Sequence, residues 1–266
     1  MESILPKVIE MIQFKQYNKF LLMFFKSNLL IVIGLITIVP LISFICMYID
    51  TQQFFSISLK ISRTDYYIWT NNGIVFYSNL VLIPCFLLSF IIQKDFSVNY
   101  AIRFKYKKSI WIKQSYYSLI FSFFFVIYQF TISSILGSIF STTLINFKEK
   151  QSVFWFINQG KTSNISFSEV LIYTIFFSFF TCILFNIFHL IIKWFFRFDF
   201  ITFVSFIILG ICDIYGGIGI CSLWGINYNN LLEFQPILSF VPILCSCILW
   251  VLGFILSGRK DLLHAK

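Results

Sequence analysis

The sequence predicts an all-α membrane protein with six transmembrane helices, and three features carry this prediction. Of the 266 residues, 59% are hydrophobic and only 12% are charged, and a soluble domain carries about twice that charged fraction. The mean hydropathy is +0.87. One water-soluble core of this length cannot hide so much apolar surface, so part of the solvent is lipid. Six apolar runs approach the ~20 residues that cross a ~30 Å hydrocarbon layer.

The six predicted spans share a high apolar content and are separated by short polar segments. No linker rich in Pro, Gly or Ser and no internal repeat divides the chain, so residues 1–266 form a single transmembrane domain. We place the spans at Leu29–Tyr48, Ile74–Ile92, Ser115–Ile139, Val170–Ile192, Phe200–Ile220 and Ile237–Ser257.

The distribution of basic residues predicts the orientation. With the N-terminus inside, the cytoplasmic segments hold 15 of the 20 Lys and Arg residues, and the outer segments hold 5. Short cytoplasmic loops collect Lys and Arg. Both termini are therefore expected in the cytoplasm, with the protein in a cell membrane.

The sequence pattern before the first span predicts an amphipathic helix at the inner membrane surface, over residues 1–27. Its apolar residues recur at helical spacing, and Lys7, Glu10 and Gln13 fall on the other side. Pro6 suits a first helical turn. Anchoring at the membrane surface and contact with a partner are both open roles. The apolar positions are Ile4, Leu5, Val8, Ile9 and Ile12.

Of the three outer segments, the third differs from the first two. Residues 49–73 and 140–169 are polar and show no clear periodicity. The third contains Gly216, Gly217 and Gly219, and such dense glycines allow a helix to end or turn sharply. Because its later part is again apolar, we predict a re-entrant or interfacial outer hairpin after the fifth span.

The sequence lacks several catalytic motifs. It has no phosphate-binding loop of the G-x-x-x-x-G-K-[ST] type, no H-E-x-x-H and only 2 histidines, so no metal or nucleotide site of these types is expected in this chain. The 7 cysteines lie in or beside apolar runs and are expected to be reduced packing residues.

Cys182 and His189 are the one pair that could form a catalytic dyad. They share a face of the fourth predicted span, but two helical turns separate them by about 10.5 Å. That distance is too long for the direct proton transfer that a cysteine nucleophile requires.

Asp213 is the ionisable residue placed well inside a predicted span, close to Gly216 and Gly217. A carboxylate at this depth usually faces the protein interior or a wet cavity. Two roles stay open: a group that lines or gates a translocation pathway, and a carboxylate that is hydrogen-bonded to a neighbouring span.

The loop 93–114 is strongly basic and interleaved with aromatic residues. A loop of this length between two spans leaves no room for a folded nucleic-acid-binding module. The positive-inside rule explains its charge but not its aromatic residues or its ending, Lys-Ser-Ile-Trp-Ile-Lys. The residues that stand out are Asp95, Tyr100, Arg103, Phe104, Lys105, Lys107, Lys108, Trp111 and Lys113.

This loop, the N-terminal amphipathic segment and the six spans together resemble the permease subunits of ABC-2-type transporters, particularly small bacterial exporters of peptides and antimicrobials. The resemblance rests on an acid near the start of the loop, Asp95, on Arg103 in its middle, and on a basic–Ser–aromatic–basic ending. The ending is formed by Lys108, Ser109, Trp111 and Lys113. This family more often has Glu where this chain has Asp95.

The resemblance implies a chain without catalysis of its own that forms a homodimer or heterodimer. Each copy would recruit a cytoplasmic ATPase, which carries the ATP and Mg²⁺. The amphipathic helix and the loop would sit in a groove of the ATPase, making the loop a coupling loop. The substrates would be amphipathic or hydrophobic, such as antimicrobial or cytolytic peptides.

Three other functions stay open. A binding, immunity or sensor protein would need no ATPase. An intramembrane cysteine peptidase would use Cys182. A secondary transporter is disfavoured because the sequence shows one buried carboxylate and no duplication.

Overall fold

The computed structural model describes residues 29–71, 73–96, 107–196, 199–216, 228, 231 and 240–259. Over these residues the chain is helical and contains no β-strand. The predicted amphipathic helix 1–27, residues 97–106 of the loop and most of the predicted hairpin lie outside the described residues.

Eight helices are numbered here in chain order, with a 3₁₀ turn, Gln93–Phe96, after the third. They are α1 (Leu29–Ser56), α2 (Arg63–Trp69), α3 (Gly73–Ile92), α4 (Lys107–Phe140), α5 (Val153–Ile157), α6 (Phe167–Phe196), α7 (Asp199–Gly216) and α8 (Phe240–Arg259).

Five described helices are long and apolar enough to cross a membrane: α1, α3, α4, α6 and α8. They confirm five of the predicted spans, with shifted bounds. The third span was predicted to begin at Ser115, but α4 begins at Lys107, so the end of the loop belongs to the helix. The apolar part of α7, Phe200–Tyr215, is shorter than the five others, and its crossing stays a prediction.

The helix α6 lies at the centre of the bundle, where it contacts α2, α3, α4, α7 and α8. In the most apolar stretch of α3, 72% of the residues are buried, against 22% in α1 and in α8. The outward surfaces of α1 and α8 are apolar, as at Leu41 and Leu244, and suit lipid contact. We call the end that holds Asp95 and Lys113, predicted to be cytoplasmic, the inner end, and the opposite end the outer end.

A π-helical segment, Phe76–Leu82, widens α3 near its middle. It ends next to Pro84, which lacks an N–H group and whose ring would collide with the preceding turn of a regular α-helix. The backbone N–H of Ile83 accordingly bonds to Ser78 O, five residues back. The wider turn thus lets the helix pass a proline, and it orients Tyr77 and Asn79 toward neighbouring helices.

The second span is preceded by a short helix that enters the bundle, which the sequence did not predict. α2 starts beside the end of α4, where Arg63 N–H donates to Thr143 O at 2.9 Å. Deeper in, the Tyr67 ring stacks on Phe130 at 4.3 Å. Phe130 lies about 15 Å inside the end of α4 at 1.5 Å per residue. α2 therefore enters the bundle from the outer end, and a turn at Thr70 and Asn71 follows it before α3.

Polar side chains satisfy the backbone at this turn. Asn71 Nδ2 and Thr70 Oγ1 both donate to Tyr67 O, at 2.9 and 2.8 Å. Asn71 Oδ1 accepts from Ser178 Oγ of α6 at 2.6 Å. Both Asn71 and Thr70 are buried. Irregular backbone at membrane depth is stable only where protein covers it, and α6 provides that cover.

The two longer outer segments fold into a layer that we call the outer cap, residues 57–71 and 141–166. The sequence predicted no regular structure there, yet the cap contains α2 and α5. Lys60 exchanges backbone hydrogen bonds with Gln151 O and Val153 N, at 2.8 and 3.2 Å. The rings of Phe147 and Phe154 stack at 4.3 Å. Long-range pairs of this kind leave no periodic signal in the sequence.

The cap also holds the two described residues of the predicted hairpin, Tyr228 and Leu231, both of which are buried. The Tyr228 hydroxyl donates to Asp65 Oδ1 at 2.8 Å. The other carboxylate oxygen of Asp65 accepts from Ser62 N–H and Ser62 Oγ, at 2.6 and 2.7 Å. Asp65 is fully buried, and burial raises its pKa to about 6.

Near the inner end, the contact between α4 and α8 depends on a glycine. A Cβ atom built on Gly253 would lie 2.0 Å from the Trp111 ring. Trp111 is fully buried and meets Trp194 of α6 edge to face, with ring centroids 6.3 Å apart. The absence of a side chain at Gly253 is what lets the indole fit between three helices.

We therefore expect Gly253→Ala to destabilise the protein by about 1–3 kcal/mol, the usual effect of overpacking. The measurement is the unfolding midpoint in detergent. Gly34→Ala is the matched control, because nothing lies within 4 Å of a Cβ there and alanine favours a helix. Adding Trp111→Leu to Gly253→Ala should recover part of the loss. Equal midpoints for both alanine variants would contradict the packing described here.

We also expect Asp65 to make stability depend on pH. Burial raises the pKa of its carboxyl to about 6 in the folded protein, against an ordinary value of 3.8. The stability it confers is complete below about pH 4 and is lost as pH rises through 6, a change of up to about 3 kcal/mol. Asp65→Asn should remove this part of the pH dependence of the unfolding midpoint. An unchanged slope between about pH 4 and 6 in Asp65→Asn would contradict the assignment.

Candidate functional site: a buried ion pair at the inner end

The inner end of the bundle contains a buried ion pair that closes the predicted coupling loop. Asp95 lies in the 3₁₀ turn after α3, and Lys113 lies in the second turn of α4. Lys113 Nζ is 2.5 Å from Asp95 Oδ1, and the two side chains are 1% and 0% exposed. The pair fixes both ends of the segment 96–107 to each other.

The second carboxylate oxygen of Asp95 connects the pair to α6. Gln114 Nε2 donates to Asp95 Oδ2 at 3.3 Å. Gln114 Oε1 in turn accepts from Trp194 Nε1 at 2.7 Å. Gln114 is fully buried and Trp194 nearly so. Through this chain of hydrogen bonds, the ion pair joins α3, α4 and α6.

A second set of polar groups ties α6 to α3 nearby. Lys193 Nζ donates to Ser89 O at 3.3 Å. The Ser89 hydroxyl lies 2.6 Å from His189 Nε2. All three residues are buried. His189 and Lys193 lie about one turn apart on α6, and both contact Ser89 of α3. These contacts extend the polar region from the ion pair into the bundle.

The electrostatics of Asp95 reflect two opposed effects. Burial raises the pKa of its carboxyl above the ordinary value, because a charged group loses its hydration. The positive charges of Lys113 and Lys193 and the hydrogen bonds from Lys113 and Gln114 oppose this rise. The carboxylate therefore depends on its neighbours to stay ionised, and a buried pair of this kind is costly to break.

The nine predicted coupling residues differ in burial, and four of them lie outside the described residues. Asp95, Trp111 and Lys113 are buried inside the bundle, where they contact one another's helices and not the surface. Lys108 is exposed, and its Nζ lies 4.7 Å from the centre of the Phe254 ring of α8. Lys107 is the first residue of α4. The other four, Tyr100, Arg103, Phe104 and Lys105, lie outside the described residues. Contact of these nine residues with an ATPase stays a prediction.

Asp213, the translocation or gating candidate, is buried near the outer end of α7. Its Oδ2 accepts from the Tyr77 hydroxyl at 3.0 Å, so the π segment of α3 supplies its partner. Gly216 is the last residue of α7, and Gly217 lies outside the described residues. The geometry is that of a carboxylate hydrogen-bonded to a neighbouring span, and its gating role stays a prediction.

Sequence reasoning missed a triad of amides and a hydroxyl in the middle of the bundle. Asn79 Nδ2 donates to Ser43 Oγ at 2.8 Å and to Gln129 Oε1 at 3.2 Å. Gln129 Nε2 approaches the same Ser43 Oγ at 3.4 Å. All three side chains are buried, and they join α1, α3 and α4. Such interhelical hydrogen bonds hold spans together where water is absent.

A periodic signal could have revealed part of this polar interior. On α6, buried polar residues recur every three or four positions, which places them on one face. A similar stripe runs along α4. The α6 stripe comprises Thr174, Ser178, Cys182, Asn186, His189 and Lys193, and the α4 stripe comprises Gln114, Ser118, Ser122, Gln129 and Ser133.

Cys182 and His189 have different partners in the fold. Asn186 Nδ2 donates to Cys182 Sγ at 3.6 Å and to Ser122 Oγ at 3.0 Å, whereas His189 faces Ser89. The six described cysteines are free. Cys85 and Cys182 are buried, whereas Cys212 and Cys247 are exposed. Among the described residues, no group of three or more His, Cys, Asp or Glu side chains could hold a metal ion.

Comparisons with known proteins add no family assignment. The chain matches no protein-family model, and neither the curated proteins nor the solved structures gave a significant match.

We expect the losses from removing the two partners of the ion pair not to be additive. Asp95→Asn or Lys113→Met alone leaves a buried charge without its counterpart and should cost about 3–5 kcal/mol of unfolding free energy. The double variant should cost clearly less than the sum. SDS-induced unfolding in mixed micelles measures all three.

The exposed pair Lys60–Glu149, at 3.0 Å, is the control for this cycle. Its single variants, Lys60→Gln and Glu149→Gln, should each cost less than about 1 kcal/mol. Additive losses for Asp95→Asn and Lys113→Met would show that the inner pair makes no coupled contribution.

Proposed function

We propose that this chain is the membrane-spanning permease subunit of an ATP-driven ABC exporter. The observation that carries the proposal is the buried Asp95–Lys113 pair, which ties the turn after α3 to α4 at the base of the basic loop. A loop that only links two spans needs no buried ion pair at its base. A loop that transmits a conformational change from a soluble partner does need a rigid base. A flexible base would let the loop move without moving the helices.

The polar contacts at the inner end could transmit such a displacement from the loop to the helices. Displacement of the loop acts on Asp95 and Lys113, and from there on α6 through Gln114 and Trp194. Ser89 and Lys193 then couple α6 back to α3. Three helices would respond together, as a change between inward-open and outward-open arrangements requires.

The sides of the bundle support amphipathic or hydrophobic substrates. A groove of about 300 Å³ between α4 and α6 is lined wholly by apolar side chains, among them Phe123, Ile127 and Phe176. A second of about 320 Å³ lies between α6, α7 and α8, with Phe188, Leu209 and Ile248 in its walls. Apolar and aromatic linings of this kind suit membrane-active peptides better than ions or sugars.

The complete transporter in this proposal has a second permease copy, identical or related, and a cytoplasmic ATPase that binds ATP and Mg²⁺. This chain contributes no catalytic residue. It lies in a bacterial plasma membrane with both termini in the cytoplasm, so that the basic loop faces the ATPase.

A binding, immunity or sensor protein that acts without an ATPase is the second candidate, and the outer cap favours it. The cap is a folded layer on the predicted extracellular face, where a ligand could bind directly. Binding there would need no energy source, so the two candidates differ in one measurable property, association with ATP turnover.

The test is affinity purification of the tagged full chain from membranes of its source cell, followed by measurement of ATP hydrolysis in the eluate. We expect an ATPase to accompany the chain. The combined variant Arg103→Ser, Lys105→Gln and Lys107→Gln should lower that co-purified activity several-fold, because these cations would meet acidic groups at the rim of the partner groove.

The matched control removes three exposed lysines of the outer cap, Lys148→Gln, Lys150→Gln and Lys161→Gln. It deletes the same amount of charge at the opposite end and should leave the activity unchanged. ATP hydrolysis that never accompanies the chain, or that falls equally in both combined variants, would exclude the exporter and leave the second candidate.

A further inference from the structure

A small amphipathic pocket lies where α1 and α4 end at the outer face. It measures about 270 Å³ and opens between the last turn of α1, residues 59–61 and the segment 140–149. The apolar side chains Phe55, Leu59, Ile61 and Phe140 line it. Since both helices leave the membrane at this level, the pocket lies where lipid headgroups meet acyl chains.

The mouth of the pocket carries one charge of each sign. Lys60 and Glu149 line it, and their side chains are 61% and 46% exposed. Lys60 Nζ and Glu149 Oε2 pair with each other at 3.0 Å. An exposed pair of this type contributes about 1 kcal/mol or less, so a ligand with complementary charges can separate it at low cost.

A third polar group in the lining supplies an acceptor. Asn146 is 3% exposed, and its Nδ2 donates to Lys60 O at 2.9 Å. Its Oδ1 is buried and accepts no hydrogen bond from the described residues. A buried acceptor usually has a donor. A ligand that brings N–H groups beside Glu149 could supply one.

We propose that this pocket binds the headgroup of a phospholipid with a primary amine and a phosphate, the chemistry of phosphatidylethanolamine. The phosphate binds Lys60, the ammonium group donates to Glu149 and Asn146, and the start of an acyl chain lies against the exposed Phe55 ring. Phosphatidylcholine has the same charges, but its quaternary ammonium has no N–H to donate. Phosphatidylglycerol has the phosphate but no amine. The proposal does not depend on an ATPase partner.

The test is competition among the three lipids for the purified full chain in nanodiscs. Phosphatidylcholine, phosphatidylethanolamine and phosphatidylglycerol are mixed in equal amounts, and the lipids that remain bound after transfer to detergent are identified by native mass spectrometry. We expect phosphatidylethanolamine to be retained about fivefold over each of the others, which corresponds to about 1 kcal/mol from the N–H donors that only this headgroup offers.

Two single variants locate the site. Glu149→Gln should bring the retention of phosphatidylethanolamine close to that of phosphatidylcholine, because it removes the carboxylate that accepts from the ammonium N–H groups. Lys60→Gln should lower the retention of all three lipids, because all three carry the phosphate that it binds. Both side chains are exposed, so the unfolding midpoint in phosphatidylcholine alone should match that of the unaltered protein. Lys148→Gln and Glu169→Gln are the matched controls, because both residues are exposed at the outer face and neither lines the pocket.

Equal retention of the three lipids would exclude the proposal. A preference for phosphatidylglycerol would exclude it as well, because Lys60 would then act as an isolated cation. A preference for phosphatidylethanolamine that survives Glu149→Gln, or a retention of the three lipids that Lys60→Gln leaves unchanged, would place the lipid elsewhere on the protein and would also refute the proposal.

Discussion

Asp95 and Lys113 bear opposite charges at the base of a loop, and inside the bundle each is the other's nearest counterion. Burying either charge alone costs several kcal/mol, so α3 and α4 cannot separate at the inner end without exposing one of them. Gln114 and Trp194 extend that constraint to α6, the central helix. The helices of the inner half of the bundle are arranged so that protein groups, and not water, donate hydrogen bonds to the Asp95 carboxylate.

The need to pair buried polar groups also shapes the rest of the interior. Asn79 reaches Ser43 and Gln129 because the π segment widens α3 beside Pro84. Asn71 covers the turn before α3 by bonding to the backbone of α2 and to Ser178. In each case an irregularity of the backbone and a polar side chain occur together, since each irregular turn leaves groups that need partners.

The two ends of the molecule are built differently, and both proposals follow from this difference. At the inner end, charges are buried and paired, which makes a rigid base for the basic loop. At the outer end, Lys60 and Glu149 are exposed beside apolar side chains, which makes an open site at the level of the headgroups. A rigid base suits the transmission of movement, whereas an exposed pair suits exchange with a ligand.

The sequence by itself determined the membrane class, and five of its six predicted spans coincide with helices that are long and apolar enough to cross a membrane, because apolar length is a local property. It marked Asp95 and Lys113 as notable but not as partners, since residues on two different helices carry no record of their distance. Only the tertiary structure decided that pairing, the entry of α2 into the bundle and the folding of the outer cap. These depend on contacts between residues far apart in the chain, such as Tyr67 with Phe130 and Asp65 with Tyr228, which no periodicity encodes.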